Sequence, residues 1–136
     1  ATRKAEPLTS GPWDDEQPSW SPDGTRVAFV SRRSADPDRD GNSDVFVVEA
    51  RPGATPKAVT TFTGSDDGRP QWSPDGKWIA YLQGDEPRFS AYELRKLAVV
   101  PAEGGAPRSI ASRRARISAP RAQVSGITFI AVSVLD

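Results

Sequence analysis

The chain has 136 residues, and its 18 Lys and Arg balance 18 Asp and Glu to a formal net charge of zero. That balance gives no basic footprint for a nucleic-acid binder. The absence of any cysteine or histidine removes disulfides, thiolate nucleophiles, histidine-ligated metals and Ser-His-Asp triads from anything these residues do alone.

No apolar run is long enough to span a bilayer as a helix, and no membrane partner is expected. The first residue is Ala1 and no signal-peptide pattern follows it, which leaves room for a removed leader or an upstream segment. Thirteen prolines and eleven glycines between short apolar runs point to many turns and a mostly β fold.

In chain order, residues 1–17 read as the end of a preceding unit plus a linker, with Leu8-Thr9 as the remnant of a strand. A unit over 18–65 follows. It opens on Pro18-Ser19-Trp20-Ser21-Pro22-Asp23-Gly24, in which a short strand meets a tight turn. Proline presets φ at the second turn position, Asp bonds nearby amides, and Gly takes up the positive φ. The second strand is expected at 26–30, and its nearly continuous apolar character suits a sheet covered on both faces. The third strand is expected at 44–48. A Pro52-Gly53 turn then leads to a fourth strand near 58–61.

The unit then repeats over 66–117. Pro70-Gln71-Trp72-Ser73-Pro74-Asp75-Gly76 lies 52 positions after the first motif. Ala28 aligns with Ala80, Phe29 with Tyr81, and Val47-Val48 with Val99-Val100, and a Gly104-Gly105 turn stands before the last strand at 109–111. A third copy begins over 118–136 and decays, with Gln123-Val124-Ser125 replacing Gln-Trp-Ser. Four short strands at a period near 50 describe a β-propeller blade, a four-stranded antiparallel sheet that buries its faces against neighbouring blades. The fold class expected is all-β, an incomplete array of about two and a half blades. Uncovered terminal blades favour self-association of the isolated chain.

Pro-x-Trp-Ser-Pro-Asp-Gly followed by Val/Ile-Ala-Phe/Tyr resembles the propeller repeat of the TolB family and of the prolyl oligopeptidase (S9) serine peptidases. With Trp13-Asp14-Asp15, Val47-Val48-Glu49-Ala50-Arg51-Pro52-Gly53-Ala54 and Ile117-Ser118-Ala119-Pro120-Arg121, it is most similar to the N-terminal propeller of acylaminoacyl-peptidase-like enzymes. The resemblance implies a C-terminal α/β-hydrolase domain, or further blades, as partner, with peptide substrates reached through the parent enzyme. It also implies a bacterial cytoplasmic or periplasmic setting. This chain contains no Gly-x-Ser-x-Gly, so no catalytic residue is assigned to it. The implied role is to cover and gate the hydrolase domain. The alternative is a TolB-like interaction propeller that has no catalytic domain.

Pro18, Trp20, Pro22, Asp23 and Gly24, with Pro70, Trp72, Pro74, Asp75 and Gly76, are read as structural repeat residues, and both tryptophans are expected at blade interfaces. Asp14-Asp15 and Asp66-Asp67 are expected to cap inter-blade turns. Asp36, Asp38, Asp40, Asn42 and Asp44 follow the spacing of a calcium loop, with Gly41 for the sharp turn. Val47 stands where such a loop carries its bidentate Glu, and the second repeat has no equivalent, so a solvated acidic turn is the competing reading. A calcium-dependent adhesion module would rest on this loop alone. Calcium is the one cofactor considered. Arg108, Arg113, Arg114, Arg116 and Arg121 form a basic stretch read as a solvated inter-blade loop, with an anion or docking site as the alternative.

Overall fold

The computed structural model describes residues 3–62, 68–84 and 95–110. The expected third unit at 118–136, together with Asp66, Asp67, Arg113, Arg114, Arg116 and Arg121, lies outside them. The described chain runs β1 (Asp15–Trp20), β2 (Arg26–Ser31), α1 (Pro37–Asp40), β3 (Asp44–Glu49), β4 (Lys57–Ala58), β5 (Gly68–Trp72), β6 (Trp78–Gln83), β7 (Lys96–Pro101) and β8 (Arg108–Ser109). These strands form two antiparallel sheets, β1-β2-β3-β4 and β5-β6-β7-β8, each in sequence order. The chain is therefore all-β, built of propeller-type four-stranded sheets.

The tight turn is the same in both sheets. Gly24 donates its N–H to the Ser21 carbonyl and Gly76 to the Ser73 carbonyl, each at 2.9 Å. The two glycines sit at φ 71° and 70°, where a Cβ would be strained. Asp23 then ties the turn down by accepting from the Ser21 hydroxyl and the Thr25 N–H, and Asp75 does the same with Ser73 and Lys77.

Both first strands carry an irregularity that alternation alone does not announce. The register shifts between Glu16 and Ser19, and again between Gly68 and Gln71. Inside the shifts, Gln17 and Arg69 both adopt φ 52°, a left-handed conformation that L-residues seldom occupy. Each precedes a proline, which has no N–H for the ladder, and these are edge strands, where proline is tolerated.

Alternation sorts the apolar residues between two faces. In the first sheet Ala28 pairs with Val47 and Val30 with Val45, whereas Val27 pairs with Val48 and Phe29 with Phe46. The Ala28 face packs on the second sheet. Ala28, Val45, Val47 and Val59 meet Ile79, Tyr81, Ala98 and Val100 in one buried cluster. Each large side chain buried there contributes about 1.5–3 kcal/mol relative to exposure. The Phe29 face is covered by Leu8, Ala54 and Ala58. Arg33 lays its guanidinium over both phenyl rings, 5.5 and 5.0 Å from their centroids, and pairs with Asp15 at 3.0 Å.

Three differences from the expected elements have local causes. The fourth strands shrink to two residues, Lys57–Ala58 and Arg108–Ser109, because only two pairs form on β3 and on β7. The stretch after β2 winds into the single turn α1, with Pro37 in its first turn and Gly41 closing it at φ 57°. β2 runs one position past its expected end, to Ser31.

Candidate functional site

The most developed polar arrangement lies along the seam between the sheets. Trp72, at the end of β5, donates its indole N–H to the Ser19 carbonyl on β1 at 3.0 Å. Arg26 lies over the Trp72 ring, 4.8 Å from its centroid. The same guanidinium reaches the Glu103 carboxylate at 2.7 Å and the Gly76 carbonyl at 3.2 Å. Lys57 donates to the Glu103 carbonyl at 2.7 Å. At the bulges, the Gln17 side-chain oxygen accepts the Arg69 backbone N–H at 2.6 Å, so one unusual backbone conformation is satisfied by the other. The pairing of Gln17 with Arg69 was not foreseen from the sequence. The signal was there in Pro18 and Pro70, since a proline inside a strand marks an edge or a bulge.

Trp20 does not share the surroundings of Trp72. It is 62% exposed, whereas Trp72 packs against the buried cluster. The seam explains the difference: a tryptophan at this repeat position is buried by the sheet on the β1 side of its own, and among the described residues no such sheet flanks Trp20. Asp15 is drawn into the first sheet's ladder. Partial burial acts to raise its carboxyl, but hydrogen bonds from Ser31, Thr9 and Arg33 outweigh this and hold it below the ordinary value. It therefore anchors the segment before β1 to the end of β2.

The acidic stretch is held by internal bonds. Asp36 caps α1 without a side-chain bond, and Asp38 lies in the exposed turn. Asp40 accepts the Asn42 N–H at 3.0 Å, and this bond keeps its carboxyl low. Asn42 donates to Asp44 at 3.2 Å. Asp44 turns inward, where burial raises its pKa, and accepts from the Thr60 hydroxyl, which in turn accepts the Val45 N–H at 2.8 Å. Neighbouring pairs are thus joined, but among the described residues no group of three or more carboxylates stands where it could hold a metal ion.

A cleft of about 380 Å³ opens beside the seam, lined by Arg26, Glu49, Arg51, Lys57 and Glu103 among others. Two ion pairs lie within it, Arg26 with Glu103 and Arg51 with Glu49, and Lys57 donates to the Glu103 backbone carbonyl. Nothing in it pairs a nucleophile with a base, and with no histidine in the chain no such relay forms from these residues. Arg108, the described member of the basic stretch, lies over Trp78 at 5.4 Å. Among the described residues no helix is long and apolar enough to cross a membrane. The arrangement holds the two sheets together across their seam.

No protein-family model matches the chain. Among curated proteins it is similar to dipeptidyl-peptidase 5 of Porphyromonas gingivalis, 33% identical over 91 residues that make up 65% of this chain and 13% of that protein. It is also similar to the uncharacterized peptidase YuxL of Bacillus subtilis, 27% identical over 103 residues, 76% of this chain and 15% of that protein. Among solved structures it resembles one described as TolB from Agrobacterium tumefaciens. That match has a TM-score of 0.54 and 22% identity, and covers 75% of this chain and 31% of the other. The likeness to TolB supports the propeller fold. The chain spans under a sixth of the length of the curated peptidases it matches. The fold is that of propeller sheets, and the curated proteins the chain is similar to are named as peptidases.

Proposed function

We propose that this chain is a non-catalytic propeller segment of an S9-type serine peptidase, which covers a hydrolase domain and restricts access to it. One observation carries this reading. Two proteins named as peptidases match across most of this chain, yet the match takes up only 13% and 15% of their lengths, and the matched residues here hold no catalytic relay. The chemistry of such a protein then belongs to its remainder, and the blades supply shape and contacts. A TolB-like interaction propeller is the competing reading, and it predicts no peptidase partner at all.

Two observations test the proposal, and the second separates it from the competing reading. Incubated with dipeptidyl and acylaminoacyl chromogenic substrates, the chain should give no turnover above buffer. Turnover would place the chemistry in these residues and end the proposal. The second concerns the gene: a Gly-x-Ser-x-Gly segment encoded in frame beyond the propeller repeats supports the peptidase reading, whereas repeats followed by a stop codon support the interaction propeller.

A further inference from the structure

We infer that the cleft beside the seam binds a carboxylate of a peptide, held between Arg26 and Lys57 in the place that the Glu103 side chain now occupies. Strand order puts the cleft between the two sheets, where the β3–β4 and β7–β8 turns meet the start of β2. Both sheets that frame it are described. The chain enters and leaves 63–67 and 85–94 at the opposite end of the strands, and it passes Ile110 there too.

Arg26 is built into the seam by contacts that do not involve Glu103. Its guanidinium lies over the Trp72 ring at 4.8 Å, donates from Nη2 to the Gly76 carbonyl at 3.2 Å, and is only 24% exposed. A guanidinium fixed in this way has given up its rotamer freedom before a ligand arrives, which is what a pre-organised anion site requires. Its Nη1 donates to the Glu103 carboxylate at 2.7 Å. That acid is the loose member of the pair. Its side chain is 81% exposed, and Arg26 is its one partner among the described residues. An exposed pair of this kind adds little stability and is screened by salt, so Glu103 can swing into solvent at small cost. Glu103 thus marks where an incoming carboxylate sits, and it competes with that carboxylate.

The remaining charges select the anion. Arg26, Arg51 and Lys57 line the cleft with Glu49 and Glu103, which leaves a single positive charge. The unmatched cation is Lys57. Its ammonium donates to the Glu103 backbone carbonyl at 2.7 Å and has no carboxylate partner among the described residues. An ammonium carries three donors, so two are left for a ligand. One excess charge suits a monoanionic carboxylate better than a phosphate dianion, which Glu49 would also repel. Val47 and Ala102 line the same space with apolar surface for the chain that carries the acid.

The repeat separates this cluster from the scaffold. Trp78 stands 52 positions after Arg26, and Arg51 stands 52 before Glu103, so the four-stranded sheet itself requires neither group. Because the cleft lies wholly between these two sheets, its chemistry does not rest on the proposed peptidase role.

An NMR titration of the full 136-residue chain at fixed ionic strength tests this, read at the indole N–H of Trp72, whose ring lies under Arg26. The probes are a blocked tripeptide with one glutamate, an acetylated trialanine with a free C-terminus, the blocked tripeptide with glutamine instead of glutamate, and inorganic phosphate. The signal should shift and saturate with a carboxylate peptide and stay put with the glutamine one. Whichever carboxylate peptide binds identifies the acid as a side chain or a C-terminus. Glu103→Gln, at an exposed position, should melt like the parent and bind about threefold more tightly. Lys57→Gln should bind about tenfold more weakly. If Glu103→Gln melts differently from the parent, Glu103→Ser takes its place. An equal response to the glutamine peptide, tighter binding of phosphate than of either carboxylate, or no carboxylate binding at all would overturn the inference. So would a Glu103 variant that binds no more tightly than the parent, or Lys57→Gln that binds as well.

Discussion

The two sheets share a plan and differ in their company. The first is covered on both faces: by the second sheet on the Ala28 side, and by Leu8 with Arg33 over Phe29 and Phe46 on the other. On the second sheet the face packed on the first is buried at Ile79, Tyr81, Ala98 and Val100, while the other face holds both a buried Val99 and a 41% exposed Leu97. The same split divides the tryptophans, since Trp72 has a carbonyl, a guanidinium and a packed core around it while Trp20 stands 62% exposed. Sequence equivalence thus sets the strand, the turn and the direction of a side chain. Burial is set by whichever sheet lies alongside.

The largest expected effect sharpens that contrast. Ile79→Ala, at a fully buried position of the seam, should destabilise the chain by about 2–5 kcal/mol in urea unfolding. Leu97→Ala, on the opposite face of the same sheet, should cost less than about 1 kcal/mol in dilute solution. Equal losses would mean that the two faces are not different. Next, Trp72→Ala should cost about 3 kcal/mol, and Trp20→Ala no more than about 0.5 kcal/mol in the dilute monomer.

The turns, by contrast, should behave alike. The Ser21 hydroxyl and the Thr25 N–H hold Asp23 down at about 2, and Ser73 and Lys77 keep Asp75 below its ordinary value in the same way. A carboxylate lowered in the folded state adds stability that is present above about pH 4 and is lost as pH falls toward 2. Asp23→Asn and Asp75→Asn should each flatten the acid limb of the melting-temperature profile, and by similar amounts. A profile altered by one substitution alone would break the symmetry of the repeat.

The smallest effect concerns the stretch that the second sheet lacks. Because Asp36, Asp38, Asp40 and Asp44 do not converge, calcium addition should leave the melting temperature unchanged. A rise of several degrees would show the loop reorganising around the ion.

The elements that were legible in the sequence are those fixed by short-range physics. Ser-Pro-Asp-Gly dictates its turn through proline φ, an Asp acceptor and a glycine at positive φ, and the runs from Arg26 and Lys77 dictate central strands. What escaped depended on contacts between sheets or on competition within a loop. The bulges at Gln17 and Arg69 are stabilised across the seam, which no local pattern encodes. Over Asp36–Asp44 the acidic spacing does not announce the single helical turn that Pro37 opens and Gly41 closes. Trp20 was read as Trp72's twin because the motif is identical. The motif carries no record of the neighbour.

The most direct test is indole hydrogen exchange by NMR on the dilute chain, whose four tryptophans give four resolvable N–H signals. The face-to-face packing of the repeat sheets requires the Trp72 indole to exchange many-fold more slowly than that of Trp20, and to lose this protection in Ile79→Ala. Equal, fast exchange at both residues would mean that the sheets do not pack across this seam, and the structural account would fail with it.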